Sequence, residues 1–349
     1  MRYIIENFVP LSGKHCITTS MRQIFKHAGH DISEEMLFGL GSGLGFYYGE
    51  FKDAPYPIIG HRAKIGEFEQ RIAESLGINI GINKTSSIKK AYDAMLELLK
   101  QDKPVMVYTD MPYLRYLKLP EDAHFGGHSI VVFGVDEEQG TAYVSDRDGK
   151  DFAVTLNKET IPEDFHIIDL EDLKNARASK CRVYPPENKW VTFDFEGIKD
   201  IDAGTVFAAV RDNARNILDT PIKNAGIRGI KHFSDRLTGW SDFEDEKLRW
   251  AAFNVFIMTS HIGGSGGGAF RKMYGSYLRE CGSKLNIKQL TDFGDEYYEA
   301  GELWDKTAYM FRDIHESLNR DLLKDISKII YDIYEKELDI MSRLSYVSI

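Results

Sequence analysis

Cysteine is scarce, basic blocks are missing, and no long hydrophobic run occurs. The three cysteines, Cys16, Cys181 and Cys281, cannot all pair and give no disulfide framework. No stretch approaches the roughly 20 uncharged apolar residues of a membrane helix, so no membrane partner is expected. The apolar run at the N-terminus is too short for a signal peptide and is broken at once by Glu6. These features predict a cytoplasmic protein. There is no Lys/Arg-rich block, and 44 basic against 54 acidic residues give a net charge of −10. That balance weighs against a nucleic-acid partner, which usually demands a basic face. Internal repeats and low-complexity segments are also missing.

What is present is an ordinary globular composition, 43% apolar and 28% charged over 349 residues. At about 150 residues per domain the length suits two domains, and such a chain buries a large core without staples. The acidic surplus reads either as plain solubility or as a surface suited to a cationic substrate such as a polyamine or aminosugar.

The first half reads as mixed α/β. Residues 17–28 carry Ile17, Met21, Ile24, Phe25 and Ala28 at helical spacing, stopped by Gly29. Residues 32–49 are rich in glycine and aromatics and predict a short helix followed by a loop that comes close to a substrate. Two further amphipathic helices are expected at 65–76 and 87–99, the second capped by Ser86 or Ser87. The period then changes. Strands are predicted at 104–109, 129–135, 141–145 and 152–156, the last three forming an antiparallel meander. The composition shifts near 180–192, where the proline-containing residues 184–189 read as a linker or crossing segment. Beyond residue 200 the pattern is helical, with segments at 203–218, 224–238, 243–262, 267–281, 286–300 and 302–345, the last broken near Ser317. The fold class is therefore α+β, with an α/β catalytic domain over 1–185 and a helical domain over 186–349.

Cys16 immediately precedes an amphipathic helix. There the positive end of the helix dipole and unpaired N–H groups favour a thiolate. The alternative is a small buried apolar cysteine, a common fate. His128 opens a strand after Gly126 and Gly127, where a histidine is both exposed and held, so it suits a general base toward a thiol. Asp146 ends the next strand. Antiparallel pairing sets the end of one strand beside the start of the other, so Asp146 reaches the distal nitrogen of His128 and fixes its tautomer. The bland alternatives are a loop histidine and a turn aspartate. The remaining histidines show no metal-ligand spacing, so no metal and no cofactor are expected.

The order Cys16, His128, Asp146 resembles papain-like cysteine enzymes, especially the bacteriocin-leader peptidase type. More closely, residues 15–21 (His-Cys-Ile-Thr-Thr-Ser-Met), the glycine-aromatic segment 39–48 and residues 127–132 (Gly-His-Ser-Ile-Val-Val) are similar to the butirosin biosynthesis protein H family. The resemblance covers nearly the whole chain. It implies a papain-like N-terminal domain with an antiparallel sheet and a nucleophile helix, then a helical domain of undefined role. It also implies an acyltransferase of antibiotic biosynthesis, moving an aminoacyl group from an acyl carrier protein thioester to an amine of an aminoglycoside. Papain-like enzymes usually place a Gln shortly before the nucleophile as oxyanion donor. Here Pro10 stands at that distance and Asn7 is the nearest upstream amide, which leaves backbone N–H groups near Cys16 for the task.

The glycine-aromatic loop is the expected acceptor site, with Gly43, Tyr47 and Tyr48 as substrate contacts. The tract Gly263–Gly268 lacks the lysine of a P-loop and the preceding strand of a dinucleotide site. It reads either as a tight helix–helix turn or as a loop that, with Arg271, lines the channel of the acyl group and carrier arm. The expected partners are an acyl carrier protein or other thioester donor and a small amine, with a homodimer among the options. The same triad also supports a cysteine peptidase or amidase, or a binding protein on a degenerate fold.

Overall fold

The computed structural model describes residues 1–52, 54–148, 163–182 and 184–347. Along the chain the elements are β1 (Arg2–Ile4), α1 (Cys16–His27), α2 (Glu34–Leu40), β2 (Leu44–Gly49), β3 (Ile58–Arg62), α3 (Glu67–Leu76), β4 (Asn79–Asn83), α4 (Ile88–Leu99) and β5 (Val105–Thr109). There follow β6 (His128–Asp136), β7 (Thr141–Ser145), β8 (His166–Asp169), α5 (Leu170–Ala178) and β9 (Trp190–Asp194). The rest is helical: α6 (Ala203–Leu218), α7 (Gly226–Leu237), α8 (Asp245–Thr259), α9 (Arg271–Leu285), α10 (Lys288–Ser317) and α11 (Leu322–Ser345). Among the described residues no helix is long and apolar enough to cross a membrane. The mixed α/β reading, the antiparallel sheet in the N-terminal region and the helical C-terminal part are all present.

The chain forms two compact units, and both are discontinuous. One comprises Met1–Leu37 and Gly77–Ile198, the other Phe38–Leu76 and Lys199–Ile349. The continuous division at 185/186 expected from composition differs from this, because residues 38–76 pack with the C-terminal helices.

The first unit is built on an antiparallel sheet of order β4-β9-β5-β6-β7-β8, with β1 pairing the distal half of β6. Every residue of β5 and β6 is buried, which requires cover on both faces of these strands. α1 packs on β6 and β5, while α4 and α5 pack on β5. α1 forms where the apolar spacing predicts, burying Ile17, Met21, Ile24 and Phe25, and Gly29 follows it with φ of +91°. α4 is capped by the Ser87 side chain, which accepts from the Lys90 N–H at 3.2 Å. Residues 184–189, read as a linker or crossing segment, lead directly into β9, which pairs with both β4 and β5. The strand expected at 152–156 lies outside the described residues.

In the second unit the expected loop after α2 is a strand. Leu44, Phe46 and Tyr48 alternate inward along β2, which pairs antiparallel with β3. The helices pack around an ion pair of Arg271 and Glu337, both fully buried. Arg271 Nε and Nη2 donate to Glu337 at 2.8 and 2.9 Å, and Nη1 donates to the carbonyls of Gly45 and Ala269 at 3.1 and 2.8 Å. Trp304 Nε1 donates to the same carboxylate at 2.8 Å. The guanidinium thereby ties the β2–β3 hairpin to α9 and α11.

α9 and α10 run antiparallel along a seam of glycines. A Cβ on Gly268 would lie 2.5 Å from the Gly301 carbonyl oxygen, one on Gly294 2.6 Å from the Gly275 carbonyl oxygen, and one on Gly282 3.0 Å from the Ile287 carbonyl oxygen. The glycines 268, 275 and 282, like 294 and 301, recur every seven residues, so one face of each helix stays bare. This explains why the break expected at 300/302 is missing. Gly301 lies inside the continuous α10, where it admits the backbone of Gly268 rather than ending a helix.

Alanine at Gly294 gains about 1 kcal/mol of helix propensity. It also drives a methyl group into main chain that cannot turn aside, and overpacking costs about 1–3 kcal/mol. Gly294→Ala should therefore destabilise the protein by up to about 2 kcal/mol net. Gly60→Ala, where an added Cβ meets nothing within 4 Å, should change stability by less than about 0.5 kcal/mol. Urea unfolding of the two variants checks this.

Candidate active site

Three chain segments meet at one end of the sheet of the first unit. Cys16 is the first residue of α1, His128 the first residue of β6, and Asp146 follows the last residue of β7. The register pairs Val131 with Ser145, which sets the start of β6 beside the end of β7. His128 Nε2 donates to Asp146 Oδ2 at 2.7 Å, with both side chains buried. Cys16 adjoins the same imidazole, where its side chain favours the protonated ring by hydrogen bond and charge. The structure thus brings Cys16, His128 and Asp146 together.

The electrostatics follow from this packing. Burial disfavours the His128 cation, but the charge and hydrogen bond of Asp146, and then Cys16, outweigh burial and hold the imidazole well above its ordinary range. Burial likewise opposes the Asp146 carboxylate, yet His128, the Tyr116 hydroxyl and Arg147 keep it below the usual carboxylate range. Coulomb attraction is mutual, so an imidazolium at His128 favours a thiolate at Cys16. Such an arrangement can add a thiolate to an acyl carbonyl, protonate the leaving group and accept the proton of an incoming nucleophile.

The turn before Cys16 is held from outside its own helix. His15 occupies the N-cap in extended conformation without a side-chain cap. Glu34, at the start of α2, takes over. Its carboxylate accepts from the Lys14 and His15 N–H groups at 3.0 and 3.2 Å, and from the Thr18 and Thr19 hydroxyls at 2.8 Å each. Burial pushes its pKa above the usual carboxylate range despite these donors. Glu34 is invisible to pattern reading because an acid in a first turn is assigned to its own helix. Tyr116 is equally invisible. It lies in a single 3₁₀ turn, Arg115–Leu117, between β5 and β6, and its hydroxyl donates to Asp146 Oδ2 at 2.8 Å. Gln23, an amide on α1, accepts from the Leu11 N–H at 3.0 Å and donates to the Thr19 carbonyl at 3.3 Å. It therefore serves the loop before Cys16.

The expected substrate contacts lie in the second unit, where three of them are engaged within the protein. Arg271 has its donors spent on Glu337 and main-chain carbonyls and is 0% exposed. The Tyr48 hydroxyl donates to Glu50 at 2.7 Å and accepts from Trp240 Nε1 at 3.2 Å, with the ring buried. A Cβ on Gly43 would meet the Phe38 ring at 2.6 Å, so this glycine serves close packing. Tyr47 is half-buried, stacks on Phe51 and bridges to Ala225. The Gly263–Gly268 loop is a tight turn. The Gly268 N–H donates to Asp305 at 2.6 Å, and Lys272 pairs with the same carboxylate at 2.7 Å. The position where a bound anion would sit is thus occupied by the protein's own side chain. Among the described residues no group of three or more His, Cys, Asp or Glu side chains is placed to hold a metal.

Residues 15–147 match the model of butirosin biosynthesis protein H, N-terminal, and residues 171–344 match a domain of unknown function, DUF4872. The N-terminal part of the chain belongs to the butirosin biosynthesis protein H family. No curated protein matches it.

The other two cysteines are poor nucleophiles. Burial and the nearby Asp110 raise the Cys181 thiol, and burial followed by Glu280 pushes Cys281 up to about 12. Iodoacetamide near pH 7.5 should therefore alkylate Cys16 at least about tenfold faster than Cys181 or Cys281, because the thiolate is the reacting form. Peptide mass spectrometry over a time course reads this directly. Equal labelling of Cys16 and Cys181 would sink the reactive-thiolate claim.

Proposed function

We propose that the chain is a cysteine acyltransferase with a papain-like catalytic arrangement. It moves an acyl or aminoacyl group from a thioester donor, carried by an acyl carrier protein, to a small amine such as an aminoglycoside. The observation that carries this reading is the contiguous array of Cys16, His128 and Asp146, with His128 bonded to both neighbours. The family name, which points to aminoglycoside biosynthesis, supports the substrate class.

In the first step the Cys16 thiolate adds to the thioester carbonyl. The tetrahedral intermediate collapses, the carrier thiol leaves with the proton of the His128 imidazolium, and an acyl-enzyme thioester remains. In the second step the amine adds to that carbonyl and His128 takes its proton. The amide departs and the Cys16 thiolate is regenerated beside a protonated His128. Main-chain N–H groups of the first turn of α1, which a helix leaves without intrahelical partners, are the oxyanion donors in this scheme. Asp146 keeps the imidazole in one tautomer throughout. Exchange between two thioesters is nearly neutral, whereas amide formation is favourable, and this drives the sequence forward.

Intact-protein mass spectrometry tests the proposal with carrier-bound acyl thioesters as donors, with and without amines. The wild type should gain the acyl mass and lose it on addition of an amine. Cys16→Ala should gain nothing and turn over at least about a thousandfold more slowly. Discharge at the same rate without amine would identify a hydrolase. Absence of any adduct, with function intact in Cys16→Ala, would identify a binding protein.

The pH dependence has a defined sign. His128 must carry its proton for the leaving group, and Asp146 holds that proton well above the ordinary imidazole range of about 6.5. Acylation should therefore hold through neutral pH and fall only in alkaline solution. In Asp146→Asn the fall should move to lower pH, because the neutral amide no longer favours the cation. A pH profile of the single-turnover acylation rate measures the shift.

A further inference from the structure

The geometry points to Tyr116 as the positioning residue of this site, its hydroxyl fixing the Asp146 carboxylate that aligns His128. The inference deepens the acyltransferase reading and rests on it for the reaction.

Asp146 is held from three directions. Oδ2 accepts from His128 Nε2 at 2.7 Å and from the Tyr116 hydroxyl at 2.8 Å, while Oδ1 accepts from the Arg147 N–H at 2.6 Å. The Arg147 N–H belongs to the adjacent residue and follows any local movement. The hydroxyl comes from a different part of the chain, the turn between β5 and β6. With it in place, the carboxylate has one orientation in which both donors at Oδ2 are satisfied. Without it, rotation about the last side-chain bond is opposed by the local Arg147 N–H and by His128, the group whose position is at stake.

The phenol itself is firmly placed. Its ring lies flat on the His166 imidazole, with centroids 3.8 Å apart and planes at 3°. His166 in turn donates from Nε2 to the Asp148 carbonyl at 3.1 Å. The hydroxyl stays protonated, since burial and then Asp146 hold it well above the ordinary phenol range. The chain of support therefore runs from β8 through His166 and Tyr116 to Asp146, His128 and Cys16. The charged and titratable groups that bear on the carboxylate are His128 on β6, Tyr116, the neighbouring Arg147, and Cys16 through His128. Asp148 and His166 act through Tyr116.

Two consequences separate a positioning role from a merely structural one. Removing the phenol donor raises the proton affinity of Asp146, so support for the imidazolium is lost at higher pH. An Asp146 no longer shared with Tyr116 also holds the imidazolium proton more strongly. In Tyr116→Phe both inflections of the coupled Cys16–His128–Asp146 system should therefore move to higher pH. A loss of packing alone would lower the amplitude and leave the inflections in place.

The experiment follows Cys16 alkylation by iodoacetamide across pH, together with acylation by a carrier-bound acyl thioester. It compares the wild type, Tyr116→Phe, Asp146→Asn and the double variant. Phenylalanine keeps the ring on His166, so the variant should fold, with a melting temperature lowered by no more than the loss of one hydrogen bond. Acylation should slow about tenfold to a hundredfold, the worth of one hydrogen bond to a charged group. The alkylation inflections should rise, and Tyr116→Phe should add nothing to Asp146→Asn, because the hydroxyl acts through that carboxylate. Rates within about twofold of wild type with unmoved inflections would overturn the proposal, as would losses that add in full in the double variant. If the alkylation inflections move while no thioester loads Cys16, the positioning role stands and the acyltransferase reading falls.

Discussion

The main-chain ladder of β6 is the constraint on which the site depends. This nine-residue strand is buried throughout and pairs with β5, β7 and β1. Its register cannot slip by one residue without turning every side chain to the opposite face. Since His128 is its first residue, the imidazole inherits that rigidity. Thr109, the last residue of β5, lies opposite it, and Asp146 follows the end of β7. A hydrogen bond between Ser20 on α1 and Ser129 on β6, at 3.3 Å, ties the helix that begins with Cys16 to the same strand. Backbone pairing thus supplies the preorganisation that catalysis by positioned groups requires.

In the second unit the dominant feature is electrostatic. A buried guanidinium and carboxylate are costly to desolvate, and the pair is tolerable only because every remaining donor finds a partner. Arg271 meets that requirement through Glu337 and the carbonyls of Gly45 and Ala269, and Trp304 completes the shell of Glu337. A neutral substitution of one partner would leave a buried charge unpaired, so the two residues function as one. The glycine-rich stretch leading to Arg271 is best understood with it: the bare backbone at Gly268 lets α9 start against α10 with the guanidinium facing inward.

The contrast between what could and could not be read from the chain is one of range. The helix after Cys16, the glycines before His128 and the pairing of consecutive strands are signals confined to short stretches, and they suffice to gather Cys16, His128 and Asp146. Tyr116 and Glu34 carry no such signal, because each serves a group on another element. Arg271 reads as lining a channel because an arginine opening a helix after a glycine-rich loop looks available to a ligand until its acidic partner, 66 positions on, is known. Gly301 misleads in the same way, since a glycine within a helical pattern reads as a break unless a second backbone is known to pass there. The grouping of residues 38–76 with the C-terminal helices has no local mark at all.

That grouping bears on how the molecule is made. The chain changes unit three times, after Leu37, Leu76 and Ile198. As it emerges from the ribosome, β2, β3 and α3 are complete long before α6 to α11 exist. Phe38, Phe46 and Tyr48, buried in the finished protein, must wait uncovered while more than a hundred further residues are synthesised. Neither half is an autonomous folding unit in the order of translation. A message truncated near residue 198 encodes the antiparallel sheet with an orphaned apolar hairpin, a ready substrate for chaperones and for aggregation.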